Sequence, residues 1–334
     1  MYLFLGTILL LYFFLWRKQN RIAYYPFSRS DSQNIRGILS LLIIIHHIQY
    51  MLPNNKILSL FHSLGATIVS LFLFIAGYGL MASYLTKGRE YLNNFFQKRI
   101  WKVFKPCLIV SFVYMCLIYW DKGNISTTIL SDLVLKGITP LPNSWFVFSI
   151  ILFYFFFYIV FRFVKTMKQR LFWCFVLSSA YLLTTMWVGY DRCWWVTTYA
   201  FFSGLLYRYK EPFFITLFRK RIWLIGFVPA SCFLLYILTR FRIELLLPMA
   251  YIIIPLMVIT LLSHFKFPQN RVLAFLGNIS YEIYLLHGIY IVLLRSDRVN
   301  VSSDCVYMFL IYSLTILSAW GLNKGMSYFR KESI

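Results

Sequence analysis

Apolar positions along this chain come in long unbroken runs separated by short basic segments, not in the three-and-four spacing of a half-exposed helix. A bilayer core about 30 Å thick takes about 20 apolar residues at 1.5 Å each. On that ruler the chain offers eleven candidate spans: 2–16, 37–53, 62–85, 103–120, 145–164, 171–189, 193–207, 222–239, 245–263, 279–295 and 304–323. The first and seventh are short enough to lie at the interface. The run "MYLFLGTILLLYFFLW" has no basic segment before it and no A-x-A cleavage site, and "RKQNR" follows it, so it reads as a retained first span or anchor. No internal repeat, low-complexity tract or heptad run is visible. The predicted fold is all-α, a polytopic transmembrane helical bundle of about 10–11 spans. An extra N-terminal span and cytoplasmic linker occupy 1–35, the core transmembrane domain 36–323 and a cytoplasmic tail 324–334.

Composition agrees. Only 13% of the residues are charged, against about a quarter in a soluble domain, while 60% are hydrophobic. A net charge of +22 suits nucleic acid in principle, but the bases sit between apolar runs and form no groove-reading patch, so no nucleic-acid partner is expected. With the N-terminus outside, 25 of the 33 Lys and Arg residues fall in the inside loops and eight in the outside ones, which places the C-terminus in the cytoplasm. The expected partner is membrane lipid. Six cysteines show no CxxC pair and no metal-ligand spacing, so neither a disulfide nor a metal is inferred.

The second run departs from pure grease. "RGILSLLIIIHHIQY" carries Arg36 at its start and His46 and His47 deep inside. Arg36 and His47 are eleven positions apart, which at about 100° per residue returns to within about 20° of one face. At 1.5 Å per residue they stand about 16 Å apart along the axis. A guanidinium fork suits phosphate, and a neutral imidazole suits taking a proton from a hydroxyl. A long donor with phosphates at one end and a reactive group at the other, such as a coenzyme A thioester, fits that ruler. For Arg36 alone a positive-inside anchor explains as much; for an ionisable residue deep in a span the default is function. His46, pointing away from the stripe, reads as structural.

"FFQKRIWKVFKP" sets Lys98, Arg99, Lys102 and Lys105 at helical spacing before a span. Attraction to anionic headgroups accounts for it, and a second phosphate clamp is the functional alternative. In "LGNISYEIYLLHGIY", Ser280, Tyr284 and His287 share a helical face, and Glu282 is a carboxylate well inside a span, for which a His or Arg partner is expected. Its role is structural or catalytic. Trp145, closing "PLPNSW", is an interface-belt residue or a platform for a sugar ring.

Together these stretches resemble the acyltransferase-3 family, integral-membrane enzymes that O-acylate surface sugars. "RGILSLLIIIHH" is similar to its arginine–ten–histidine motif and "GATIVSLFLFIAGYGL" to its glycine-rich core helix. "RIWK" stands where the family has an arginine–two–arginine motif, and "LGNISYEIYLLH" matches its "LG-x-x-SY-x-x-YL-x-H" signature. The resemblance runs from residue 36 to about 323. It implies that His47 is catalytic and that Arg36, Arg99 and Lys102 hold the acyl-CoA donor, with acetyl-CoA expected. Ala76 replaces a usual serine, Lys102 replaces an arginine, and Ile150 and Ile151 stand where many members have acids, which leaves the acceptor class open. Trp145 and Tyr154 keep the family's spacing.

The expected function is therefore transfer of an acyl group, acetyl first, from cytoplasmic acyl-CoA to a sugar hydroxyl of a cell-surface or lipid-linked glycan. The transfer runs directly or through acyl-His47, in a bacterial inner membrane. The rival from another class is a proton-coupled transporter or flippase of a lipid-linked sugar, since intramembrane His and Glu are what a proton relay uses. Against it, the chain shows no inverted repeat and few spans broken by Gly or Pro.

Overall fold

The computed structural model describes residues 28–123, 141–220, 222–241, 243–264 and 269–331. The expected first span, 2–16, lies outside the described residues. In chain order the helices are α1 (Arg29–Met51), α2 (Gly65–Lys87), α3 (Trp101–Lys122), α4 (Trp145–Phe163), α5 (Met167–Trp187), the single turn α6 (Arg192–Trp195) and α7 (Thr198–Tyr209). They continue as α8 (Glu211–Phe218), α9 (Val228–Arg240), α10 (Leu247–His264), α11 (Arg271–Asn278), α12 (Ser280–Leu293) and α13 (Asp304–Lys331). No strand occurs among the described residues; Arg295 and Asn300 form one isolated bridge.

Among the described residues five helices are long and apolar enough to cross a membrane, or up to seven if two bent pairs each count as one span. Ten of the eleven hydropathy runs fall among those residues, and the difference has physical reasons. The seventh run is broken between α6 and α7. The helix α1 is lowered in mean hydropathy by Arg36, His46, His47 and Gln49, the residues that give it chemistry. The last helix continues past the expected span end, through Lys331.

The chain divides into two compact units, Met1–Ser32 with Ser63–Phe95 and Phe153–Asn270 in one, and Gln33–His62 with Phe96–Leu152 and Arg271–Ile334 in the other. In the first, α2 and α7 cross at reciprocal glycines. A Cβ on Gly77 would lie 3.1 Å from the Phe201 carbonyl carbon, and one on Gly204 would lie 2.9 Å from the Tyr78 nitrogen. Without those side chains the backbones approach closely, which is how apolar helices gain contact where the hydrophobic effect between them is weak. Two buried charged groups in this unit are hydrogen-bonded. Arg170 donates to the Tyr84 hydroxyl (2.7 Å) and the Val164 carbonyl (2.8 Å), while Glu211 accepts from Tyr78 (2.8 Å) and Arg208 (2.5 Å).

The second unit repeats the device between α1 and α11. A Cβ on Gly37 would sit 2.9 Å from the Leu273 carbonyl carbon and closer still to its oxygen; one on Gly277 would sit 2.7 Å from the Gln33 carbonyl carbon. The Gln33 and Asn278 side chains are hydrogen-bonded beside this crossing (2.9 Å). The chain then bends by 75° into α12, and at the break Ser280 donates to the Gly277 carbonyl (2.9 Å). The last helix closes the unit: Tyr312 donates to the Leu41 carbonyl (3.0 Å), Tyr307 to that of Ile291 (2.8 Å), and Asn323 to Glu282 (2.8 Å).

Candidate active site

Every candidate residue read from the sequence falls in this second unit. A helix without a break carries both Arg36 and His47, so the eleven-residue register between them is kept along α1. Arg36 and His47 are both half-buried. Ser40, in the stripe between them, is buried with its hydroxyl on the Gly37 carbonyl (2.8 Å) and takes no part beyond that.

At the Arg36 end, α11 lies against Gln33–Gly37 through the glycine crossing, and α12 starts directly after it. Tyr281, in the first turn of α12, donates to the Val103 carbonyl of α3 (2.6 Å). Pro106 lacks the N–H that would bond the Lys102 carbonyl four residues earlier, which loosens the helix ladder beside Val103. Arg99 lies in the π turn Phe96–Ile100 just before α3, half-buried, and Lys102 is exposed in the first turn. The three cations thus sit on elements linked through α11 and Tyr281 at one end of the unit.

At the His47 end the partner helix is α12. The rings of His47 and His287 lie 5.1 Å apart, tilted by 37°. His287 is fully buried, and its Nδ1 donates to the carbonyls of Tyr284 (2.7 Å) and Ile283 (3.2 Å). Tyr284 spends its hydroxyl on the Asn143 carbonyl (2.6 Å) and packs on Phe146 at 5.0 Å. It is a strap for the "PLPNSW" turn. Asn143 holds that turn with a φ of 63°, and a Cβ on Gly288 would press on Pro142 at 2.9 Å, so the turn lies flat on α12. Trp145 begins α4 directly after it and is half-buried.

The profile of the acyltransferase-3 family, described as an acyltransferase domain, matches residues 30–324. The chain belongs to the acyltransferase-3 family. No curated protein and no solved structure matches. As a member of this family the chain is an acyltransferase, and its apolar helices make it a multi-pass membrane protein. The matched region includes α1 and α12, so both the arginine–ten–histidine stretch and the C-terminal signature belong to the acyltransferase-3 domain.

Within that domain the structure sorts the signature residues by what they touch. Ser280 caps the bend and Tyr284 pins a turn, while Glu282 is buried with the Asn323 amide among its partners. His287 alone of this set contacts the His47 ring. His46 donates from Nδ1 to the Phe61 carbonyl (2.9 Å), a structural role as its place off the stripe suggested. Sequence reasoning missed three features. Tyr50 lies one turn beyond His47, its ring 6.3 Å away, and His62 follows 5.3 Å from Tyr50, bonded to Gln49 (3.1 Å). The glycine crossing beside Arg36 was the third. The glycine in "RGILS" and the "LGN" of the signature carried its signal; nothing in the sequence announced His62. Among the described residues no group of three or more His, Cys, Asp or Glu can hold a metal ion.

Proposed function

We propose that this acyltransferase moves an acetyl group from acetyl-CoA to a sugar hydroxyl of a cell-surface or lipid-linked glycan in a bacterial inner membrane. The observation that supports it most is one unbroken helix bearing Arg36 and, about 16 Å further along its axis, His47, whose ring contacts the family signature helix. The donor's phosphates lie against Arg36, Arg99 and Lys102 at the cytoplasmic face. Its flexible arm runs along the Arg36–His47 stripe, so that the thioester reaches His47. A fork at Arg36 and Arg99 engages two phosphate oxygens at once, whereas Lys102 supplies a point charge.

His47 takes the proton of the acceptor hydroxyl as its oxygen bonds to the thioester carbonyl carbon. The tetrahedral intermediate collapses with cleavage of the C–S bond, and the departing thiolate takes the proton back from His47. Proton transfer of this kind contributes about 10² to 10⁴ in rate, and holding the two substrates in line supplies much of the rest.

The test uses membranes from cells expressing the full chain, supplied with radiolabelled acetyl-CoA, with alkali-labile label counted in the glycan fraction. His47→Ala abolishes transfer. Arg36→Ala raises the acetyl-CoA needed for half-maximal rate, and Arg36→Lys recovers only part of the loss. Undiminished transfer by His47→Ala refutes the mechanism.

A further inference from the structure

We propose that His287 is the positioning residue for His47: its Nε2 accepts a hydrogen bond from one ring N–H of His47, leaving the opposite nitrogen bare toward the acceptor hydroxyl. The inference rests on the acyltransferase reading above and assigns the second imidazole a role in it.

Three observations carry it. First, the tautomer of His287 is fixed by its surroundings. A carbonyl oxygen only accepts, so the Nδ1 that faces the carbonyls of Tyr284 and Ile283 carries the hydrogen, and in the neutral ring Nε2 is a lone pair. Second, that Nε2 is buried without a hydrogen-bond partner among the described residues. Buried acceptors are satisfied in the great majority of cases, and an exception calls for an explanation, a role in the reaction being one. Third, the aromatic rings packed on His287 are Tyr284 and His47, and the Tyr284 hydroxyl is already given to Asn143. Of these two rings, His47 is the one with an N–H to offer Nε2. A centroid separation of 5.1 Å is close enough for a hydrogen bond of about 2.9 Å once a His47 nitrogen turns toward Nε2. Such bonds often tighten only when substrate is bound.

The arrangement solves a problem that His47 has alone. It sits at i+1 from His46, whose Nδ1 is committed to Phe61, and neither neighbour on α1 decides which of its nitrogens is bare. A base with the wrong tautomer presents a hydrogen to the hydroxyl it should deprotonate. Loss of the group that fixes the tautomer in a serine–histidine–aspartate triad costs about 10⁴ in rate with the geometry intact. During transfer the acceptor O–H bond breaks and its proton binds the bare nitrogen of His47. The C–O bond forms, the C–S bond breaks with its electron pair leaving on sulfur, and the proton then joins the thiolate. His287 holds the imidazolium by its hydrogen bond throughout and keeps its own Nδ1 proton.

Two isosteric substitutions separate positioning from packing. In His287→Asn the amide falls where Nδ1 was and keeps the bond to the carbonyls, but nothing occupies the Nε2 site. In His287→Gln the amide oxygen reaches the Nε2 site and the bond to the carbonyls is given up. The alkali-labile acetyl assay is run on membranes carrying equal amounts of each full-length protein, and each purified protein is titrated with coenzyme A. The expected result is a loss of about 10²-fold in maximal rate for Asn, a loss of less than about tenfold for Gln, and unchanged coenzyme A affinity in both. Transfer by the Asn variant equal to or above that of Gln overturns the proposal and leaves His287 a packing residue. A wild-type protein that transfers nothing overturns the acyltransferase reading itself, which is a different outcome from an active wild type with the two variants in the wrong order.

Discussion

Replacing Gly37 by alanine tests whether the α1–α11 crossing sets the donor end of the site. The added Cβ would meet the Leu273 carbonyl carbon at 2.9 Å and its Cα at 3.1 Å, with the carbonyl oxygen nearer. Carbon–carbon contacts settle at about 3.5–4.0 Å, so the two backbones must part by about 1 Å. Neither obstacle is a flexible side-chain end that can turn aside. Overpacking of this kind costs about 1–3 kcal/mol, set against about 1 kcal/mol that alanine returns over glycine inside a helix. The same substitution at Gly79, in α2, meets nothing within 4 Å and keeps the propensity gain alone. In detergent, then, the unfolding midpoint of Gly37→Ala falls by a few degrees while that of Gly79→Ala holds or rises. Activity responds more steeply. Gly37 neighbours Arg36, and a misplacement of about 1 Å costs about 10² in rate. The acetyl assay at equal folded protein therefore shows Gly37→Ala deeply impaired and Gly79→Ala near wild type. A Gly37→Ala protein as stable and active as Gly79→Ala would refute the claim that this close crossing is required.

Two more substitutions probe the remaining contacts. Glu211→Ala strips the 2.5 Å partner from Arg208 and the acceptor from the Tyr78 hydroxyl; with the Arg208 side chain partly exposed the cost is about 1–3 kcal/mol, read as a drop in unfolding midpoint, whereas Arg208→Ala with Glu211→Gln recovers much of it. Tyr284→Phe removes the hydroxyl from the Asn143 carbonyl; it costs about 1 kcal/mol in stability and loosens the "PLPNSW" turn, measured as faster proteolysis near Asn143 with His47 still competent for transfer.

Much of this protein was legible before any coordinates. Helical class followed from runs too long and too apolar for any other fate in a bilayer, where each backbone group must be satisfied within its own segment. The Arg36–His47 stripe followed because both residues lie on one element, and within one helix spacing in sequence is spacing in space. The bend ahead of the signature was less legible: "LGNISY" contains no proline, and the 75° turn is held by Gly277 against Gln33, a contact with another helix.

What the residues alone determined, accordingly, is what is periodic within one element: the helical class, the polar interruptions and the axial spacing of Arg36 and His47. What the tertiary structure decided is which of several equivalent polar residues meets which. Ser280, Tyr284 and His287 share one face of a helix, yet one caps a bend, one straps a turn and one reaches the His47 imidazole. That division depends on where α1, α11 and the 141–145 turn come to lie. Their positions are set by close contacts at Gly37, Gly277 and Gly288, and these contacts link residues well over a hundred positions apart, which no local pattern encodes.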